Sequence, residues 1–149
     1  MLRKIVSGGQ TGVDRAALDA ALEAGVACGG WCPRGRRAED GALDARYPLR
    51  ETPARDYAER TTWNVRDADA TLILARLPLR GGSALTRRSA QRMRRPVLVV
   101  DPEDADCVAA VRSWLERSAV GTLNVAGPRE SQQPGAYAGA RRVLDALLG

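Results

Sequence analysis

The stretch KIVSGGQTGVDRAALDAAL, Lys4 to Leu22, places a short apolar run, a glycine-rich turn and a helical pattern one after another. Apolar residues recur on one side of the predicted helix, Val13 to Ala24, and Gly25 follows as a good C-terminal stop. A plain connector between a strand and a helix needs fewer glycines. The stretch therefore predicts a buried strand that leads through a specialised loop into an amphipathic helix.

The alternation of strand and helix patterns continues along the chain. Apolar runs that suit buried parallel strands occur at Arg3 to Val6, Ala70 to Leu74 and Val97 to Val100, with weaker ones at Val26 to Gly29 and Thr122 to Val125. Further helical patterns run from Asp56 to Asp67, Ala84 to Arg94, Ala105 to Arg117 and Ala136 to Leu148, whereas Arg34 to Pro53 reads as a long loop. The pattern predicts a Rossmann-like α/β fold, doubly wound, with a mostly parallel sheet of about five strands and helices on both faces.

The length, the charge and the absence of histidine limit which classes of protein and ligand are compatible with the sequence. The 149 residues fit one domain, residues 1–149, and the absence of a long apolar segment or signal-like N-terminus predicts a cytoplasmic protein without a membrane partner. Three cysteines and no histidine predict no metal site and remove the commonest general base. A net charge of +5 is compatible with phosphate-bearing ligands and with nucleic acid, but few aromatic residues are present for base stacking.

Three loops that follow predicted strands are unusual, and ligands of open parallel sheets bind beside such loops. We refer to SGGQTGVD, Ser7 to Asp14, as the first loop; its glycines can adopt positive φ and let an anion approach backbone amides at the start of a helix. It lacks the Walker lysine and does not match G-x-G-x-x-G. The alternative is a turn that merely packs the helix on the sheet. The residues predicted to bind an anion here are Gly8, Gly9, Gln10, Thr11 and Gly12.

The second loop, LRGGSALT from Leu79 to Thr86, repeats this design. Gly81 and Gly82 form the predicted turn, Ser83 is the predicted N-cap, and Thr86 lies in the first helical turn. The alternative is an ordinary capped helix start. Two such turns in one small sheet indicate an anion site more strongly than one.

The third loop, NVAGPRES from Asn124 to Ser131, follows the fifth predicted strand. Arg129 can bind an oxyanion bidentately, Ser131 can close the site, and Glu130 can orient Arg129 or act on a water. The alternative is a solvated pair of Arg129 and Glu130 on the surface. We expect the three loops to converge at one edge of the sheet.

Two further groups of residues are candidates. Trp31 opens the polar loop after the second strand and is the better stacking platform, whereas Trp63 is expected in the core. Asp14 and Glu130 are the acid and base candidates in the event that the protein is an enzyme. The preferred interpretation assigns no catalytic residue and no metal ligand.

With these motifs assembled, the sequence resembles the bacterial family of putative molybdenum carrier proteins. This family lies within the group that includes the lysine-decarboxylase-like phosphoribohydrolases and the DNA-processing protein fold. The resemblance covers nearly the whole chain, and the segments that carry it are SGGQTGVDRAALDAAL, GGWCPRGRRAEDG, YPLRET, ERTTWNVRDADATLIL, GGSALT, TLNVAGPRES and PGAY.

The resemblance implies a Rossmann-like fold, commonly a homo-oligomer such as a dimer or tetramer, that binds a phosphorylated or oxyanionic small molecule. A molybdenum cofactor of the molybdopterin type is the implied ligand, and a nucleotide would satisfy much the same site. The hydrolase relatives carry P-G-G-x-G-T-x-x-E, but Arg88 stands here in the place of the glutamate. The absence of this glutamate favours a non-enzymatic carrier over a nucleoside-phosphate N-glycoside hydrolase or nucleotide sensor. Nucleic-acid binding is the least favoured alternative.

Overall fold

A computed structural model describes residues 2–149 of the chain. Its strands are β1 (Lys4–Val6), β2 (Ala27–Gly29), β3 (Trp31–Cys32), β4 (Arg37–Ala38), β5 (Gly41–Ala42), β6 (Arg50–Glu51), β7 (Ala70–Leu74), β8 (Val97–Val100) and β9 (Thr122–Ala126). Its helices are α1 (Val13–Ala24), α2 (Tyr57–Arg66), α3 (Gly81–Arg92), α4 (Cys107–Arg117) and α5 (Ala136–Leu148).

The central sheet is parallel and has the strand order β2-β1-β9-β7-β8. This arrangement confirms the predicted α/β, Rossmann-like fold of about five parallel strands with helices between them. The last strand in sequence, β9, lies between β1 and β7. As a result, the three loops that follow the adjacent strands β1, β9 and β7 lie side by side at the C-terminal end of the sheet.

The main apolar core lies between the sheet and the helices α1, α4 and α5. Ile5, Leu72, Leu123 and Val125 come from the strands and pack against small residues of α1 and α5. Helices α2 and α3 pack against each other, with α3 also against β7 and β8. None of the helices within residues 2–149 is long and apolar enough to cross a membrane.

The segment predicted as one long loop, Arg34 to Pro53, contains three strands of two residues each. Strands β4 and β5 form an antiparallel hairpin, and β6 pairs in parallel with β3. The prediction is wrong in this respect because strands of two residues carry no periodicity that a sequence pattern can reveal. Leu43, Tyr47 and Leu49 of this segment form a second apolar cluster with Leu18 and Cys32.

The start of α3 also differs from the prediction of Ala84. The helix begins at Gly81, and its N-cap is Arg80 instead of the predicted Ser83. The N–H groups of Ser83 and Ala84 both donate to the carbonyl of Arg80, at 3.1 and 3.3 Å, so the first helical turn already encloses both glycines. Tertiary context here outweighs the low helix propensity of glycine.

Candidate functional site

A narrow cleft of about 100 Å³ opens where the first, second and third loops meet, and α2 forms its other wall. The structure thus brings the three predicted loops together. The residues that line the cleft are Gly8, Gln10, Asp14, Tyr57, Arg60, Thr61, Asn64, Gly82, Ser83, Thr86, Asn124, Val125, Ala126, Gly127, Arg129 and Gln132.

A buried ion pair between Asp14 and Arg60 forms the floor of the cleft beside Gly8. Arg60 Nη1 donates to Asp14 Oδ2 at 3.0 Å, and the two side chains are only 10% and 9% exposed. A Cβ atom on Gly8 would lie 1.7 Å from Arg60 Nη1. Gly8 therefore makes room for a guanidinium of the protein itself.

Asp14 is the only one of the two acid–base candidates that lines the cleft. Burial raises the pKa of its carboxyl, and the neighbouring Arg60 charge and hydrogen bonds from Arg60 and the Gln10 amide offset that rise only in part. The other candidate, Glu130, accepts from the amides of Gly135 at 2.6 Å and Tyr137 at 2.9 Å. Glu130 thereby stabilises the start of α5.

The amides of the first loop bond mainly to acceptors of the protein. The Gly9 amide donates to Ser7 Oγ at 3.2 Å, and the Gln10 amide donates to Asp14 Oδ2 at 3.3 Å. The Val13 amide at the start of α1 donates to the carbonyl of Pro128 at 3.3 Å. The start of α1 is therefore closed by the third loop instead of facing an open anion site.

Two other glycines of the first loop also serve close packing. Gly9 has φ of +78°, and a Cβ there would lie 2.6 Å from Leu49 Cδ1. Gly12 has φ of +77°, and a Cβ there would lie 2.4 Å from the carbonyl oxygen of Pro128. Neither glycine lines the cleft, since Gly9 faces the second apolar cluster and Gly12 lets the third loop approach α1.

Thr11, Arg129 and Ser131, which the sequence assigned to a ligand, surround the carboxylate of Glu39. Ser131 Oγ donates to Glu39 Oε2 at 2.5 Å, the Ser131 amide donates to Oε1 at 3.2 Å, and Thr11 Oγ1 also donates to Oε1. Arg129 Nε lies 3.9 Å from Glu39 Oε2. Glu39 therefore ties the β4–β5 hairpin to the first and third loops.

The environment of Glu39 favours its ionised form. Partial burial by itself would raise the pKa of the carboxyl, but hydrogen bonds from Ser131 and Thr11 and the charge of Arg129 outweigh it and lower the pKa. The hairpin is also held by Gln10, whose Oε1 accepts from the Glu39 amide at 2.8 Å. The neighbouring Asp40 forms two 3.0 Å hydrogen bonds with Arg15.

The second loop lines the cleft at Gly82, Ser83 and Thr86, whereas Gly81 lies outside it. No acceptor for the amides of Gly81 and Gly82 occurs among residues 2–149, and Arg80 makes no side-chain cap at this helix end. The first turn of α3 carries no acidic residue. By comparison, Asp56 caps α2 with hydrogen bonds to two amides. The positive end of the α3 dipole is thus left uncompensated within the described chain.

Two buried side chains add unpaired donors to the same cleft. Ser83 is 7% exposed, and its hydroxyl has no hydrogen-bond partner within residues 2–149. Gln10 is 6% exposed; its Oε1 accepts from the Thr11 and Glu39 amides, which fixes the orientation of the group and leaves the NH₂ free. Thr86 instead donates to the carbonyl of Gly82 at 2.8 Å.

Three guanidinium groups surround the ring of Tyr57 at the mouth of the cleft. The Cζ atoms of Arg37, Arg60 and Arg129 lie 5.1, 5.3 and 6.0 Å from the ring centroid. Arg60 is neutralised by Asp14, whereas Arg37 donates to the backbone carbonyl of Arg55. The charge at the mouth is therefore positive, which favours the approach of anions.

A larger hollow of about 500 Å³ adjoins the cleft and shares Ser83 and Gln132 with it. Its walls combine apolar residues and two arginines, and they consist of Ala75, Arg76, Leu77, Pro78, Leu79, Arg80, Ser83, Pro128, Gln132, Gln133 and Pro134. A small polar cleft thus opens into a wider space that is partly apolar.

Trp31 lies outside both spaces. Its indole N–H donates to Asp67 Oδ2 at 2.8 Å, and its ring packs edge-on against Trp63 with centroids 4.8 Å apart. Arg50 covers the ring, with Cζ 4.3 Å from the centroid. Trp31 therefore stacks on residues of the protein itself.

Sequence reasoning missed Tyr57, Arg60 and Glu39 as parts of the site. Arg60 and Tyr57 lie on α2, which follows none of the three loops, and Glu39 lies in the segment predicted as an irregular loop. The ERTTW stretch that contains Arg60 contributed to the family resemblance, and that was the one signal available for it.

The comparisons with known proteins agree with this architecture. The model of the circularly permutated YpsA SLOG family matches residues 5–148. The crystal structure of a putative molybdenum carrier protein from Syntrophus aciditrophicus SB is 42% identical and superposes with a TM-score of 0.97, covering 99% of this chain and 96% of the other. No curated protein matches the sequence.

Proposed function

The chain belongs to the circularly permutated YpsA SLOG family, and from this premise we propose that it is a non-enzymatic binding protein for a phosphorylated or oxyanionic small molecule. The observation that carries the proposal is the set of unpaired donors at the start of α3. The amides of Gly81 and Gly82 and the hydroxyl of Ser83 have no protein acceptor within residues 2–149. Such donors at a helix N-terminus stabilise a bound anion.

The shape of the site suggests where the different parts of such a ligand would bind. The cleft of about 100 Å³ suits a single phosphate or oxyanion group, which would lie between α3 and the NH₂ of Gln10. Because a narrow cleft excludes bulk water, charge interactions are stronger there than on the surface. The remainder of the ligand would occupy the adjoining hollow of about 500 Å³.

A molybdenum cofactor fits this division, and the relative described as a putative molybdenum carrier protein supports it as the candidate. Its phosphate would bind at Gly82 and Ser83, and its pterin would lie against Leu77 and Leu79 of the hollow. The molybdenum would be cargo held through the cofactor. The arginines Arg76 and Arg80 would face the oxo-metal group or other anionic parts of the ligand.

Hydrolysis of a nucleoside phosphate is the second candidate function, and Asp14 is the observation that favours it. A buried carboxyl with a raised pKa inside a cleft is typical of acid–base catalysts. Release of a free base from nucleoside monophosphates by the wild type, lost in Asp14→Asn, would establish this function. The tight pairing of Asp14 with Arg60 favours a structural role instead.

A thermal-shift titration tests the binding function. The probes are inorganic phosphate, molybdate, AMP and isolated molybdenum cofactor, with chloride at matched ionic strength as the control. We expect saturable stabilisation by phosphate-bearing probes, largest for the cofactor, and its loss in Ser83→Ala. Ser113→Ala, on the exposed side of α4, is the matched control. The proposal would be contradicted if the probes stabilised both variants equally. It would also be contradicted if no probe stabilised the wild type.

A further inference from the structure

The carboxylate of Glu39 lies among hydrogen-bond donors that come from two other loops. The Ser131 amide donates to Oε1 at 3.2 Å, Ser131 Oγ donates to Oε2 at 2.5 Å, and Thr11 Oγ1 also donates to Oε1. Arg129 Nε lies 3.9 Å from Oε2. Hydroxyls, amides and guanidinium groups bind carboxylates and phosphates alike through charge-assisted contacts. We refer to Thr11, Arg129 and Ser131 as the Glu39 subsite.

The donors of the Glu39 subsite are positioned by contacts that do not involve the Glu39 carboxylate. Thr11 Oγ1 accepts from the Glu130 amide at 3.1 Å, which leaves its own hydrogen for the carboxylate. The Gln133 amide donates to the carbonyl of Arg129 at 3.1 Å, so the third loop is closed by its own backbone at this point. The subsite would therefore keep its shape without the carboxylate.

The tip of the β4–β5 hairpin is also held in place without the Glu39 carboxylate. The Glu39 amide donates to Gln10 Oε1 at 2.8 Å, and Asp40 forms two 3.0 Å hydrogen bonds with Arg15. The Glu39 side chain is 21% exposed, so part of it faces solvent. Rotation of this side chain would release the carboxylate while the hairpin stays attached. An external anion can therefore replace the carboxylate without displacing the hairpin.

Arg129 connects the Glu39 subsite with the cleft, because it lines both. Its side chain is 36% exposed, and its Cζ atom lies 6.0 Å from the ring centroid of Tyr57 at the mouth of the cleft. The 3.9 Å separation between Arg129 Nε and Glu39 Oε2 is too long for a hydrogen bond, so the guanidinium keeps donors for another anion. A ligand in the cleft would therefore lie beside the subsite.

We propose that Thr11, Arg129 and Ser131 form a second anion subsite, which the Glu39 carboxylate fills in the free protein and which a carboxylate or phosphate group of the ligand enters in its place. The inference rests on the proposed function, because the same ligand binds with another anionic group at the start of α3. Glu39 acts as an internal competitor. A ligand with a single anionic group binds at α3 and leaves Glu39 in place, so the site favours ligands that carry two such groups.

Two substitutions of Glu39 test this subsite in ¹⁵N–¹H NMR titrations with inorganic phosphate or acetate at constant ionic strength. Glu39→Ala vacates the space of the carboxylate, so we expect saturable shifts of the Ser131 amide with these anions. Glu39→Gln has the same net charge but fills the space, and the wild type keeps the competitor. We expect anion binding at Ser131 to be about tenfold weaker or more in both. The anion that binds more tightly to Glu39→Ala identifies the group that the subsite prefers.

A further pair of variants tests the role of the guanidinium. In the Glu39→Ala protein, Arg129→Gln should weaken anion binding at the subsite about fivefold or more, whereas Arg117→Gln, on α4, removes the same charge with little effect. Circular dichroism confirms that each variant is folded, and Glu39→Ser offers a second way to vacate the space.

The outcomes separate this inference from the proposed function. The second subsite would be overturned if the Ser131 amide showed no saturable shift in the folded Glu39→Ala and Glu39→Ser proteins. It would also be overturned if Glu39→Ala and Glu39→Gln bound the anions equally at Ser131. Shifts at Gly82 alone would contradict only this subsite. Shifts at Ser131 alone would support it and contradict the anion site at α3.

Discussion

Gly8 and Gly82 both line the cleft, but they have opposite surroundings. A Cβ on Gly8 would overlap Arg60, whereas a Cβ on Gly82 would meet nothing within 4 Å. The first glycine is needed for a buried ion pair and the second leaves space beside free donors. The same residue type thus serves the fold at one position and the proposed ligand site at the other.

Alanine substitutions separate these two roles. Gly8→Ala should lower the free energy of unfolding by about 2–4 kcal/mol, because the added methyl displaces Arg60 and weakens its buried ion pair with Asp14. Gly82→Ala should leave stability unchanged or raise it by up to about 1 kcal/mol, because alanine favours the helix, while it weakens phosphate binding. Urea denaturation measures both effects. Equal destabilisation by the two substitutions would contradict the account.

The ionised Glu39 should stabilise the fold in a pH-dependent manner. Its folded pKa is lowered from the ordinary value of 4.5, so its stabilisation is complete above about pH 4.5 and is lost as the pH falls through the folded pKa. We expect Glu39→Gln to be less stable than the wild type at pH 7, with a difference that shrinks as the pH is lowered below 4.5. Urea denaturation across this range checks the expectation. A difference that is independent of pH would show that the charge of Glu39 does not matter.

The α3 helix is the element on which the proposed anion site depends. The amides of Gly81 and Gly82 are free within residues 2–149, because the side chain of the N-cap residue, Arg80, has no oxygen that could accept from them. The positive charge of Arg80 next to a positive helix end is unfavourable for the helix alone. An external anion would relieve both deficiencies, so we expect a bound anion to stabilise α3.

Replacement of the N-cap tests this dependence. Arg80→Asp should stabilise the free protein by about 1 kcal/mol through capping of α3, and it should weaken phosphate binding about tenfold or more by placing a carboxylate at the site. Arg88→Glu, on the exposed side of the same helix, changes the net charge equally and is the control. Isothermal titration calorimetry measures the affinities. Similar losses in both variants would indicate a general charge effect only.

The helix and strand patterns of individual elements were predictable, but the partners of the site residues were not. The bounds of α1, α5, β7 and β8 agree with the prediction, because each has a clear period or an uninterrupted apolar run. Asp14 and Arg60 are 46 residues apart, and Ser131 and Glu39 are 92 residues apart. No local pattern shows which of the many arginines meets a given carboxylate. The first loop therefore resembled an open anion site although the protein fills most of it.

The strand order of the central sheet determines which loops lie next to one another and where a binding cleft can form. Insertion of β9 between β1 and β7 brings the three glycine-containing loops to one edge, and the alternation of elements alone does not reveal that order. The first and third loops close on each other through Gly12 and Glu39. The second loop stays open, and the cleft with its adjoining hollow forms beside it.

A ¹⁵N–¹H NMR titration of the 149-residue chain with inorganic phosphate at constant ionic strength tests the proposed anion site most directly. We expect saturable shifts that are largest for the amides of Gly81 and Gly82. We expect small shifts for Gly9, Gln10 and Val13, whose amides already have protein acceptors. Shifts concentrated in the first loop, or no saturable shift at the start of α3, would contradict the assignment of the anion site.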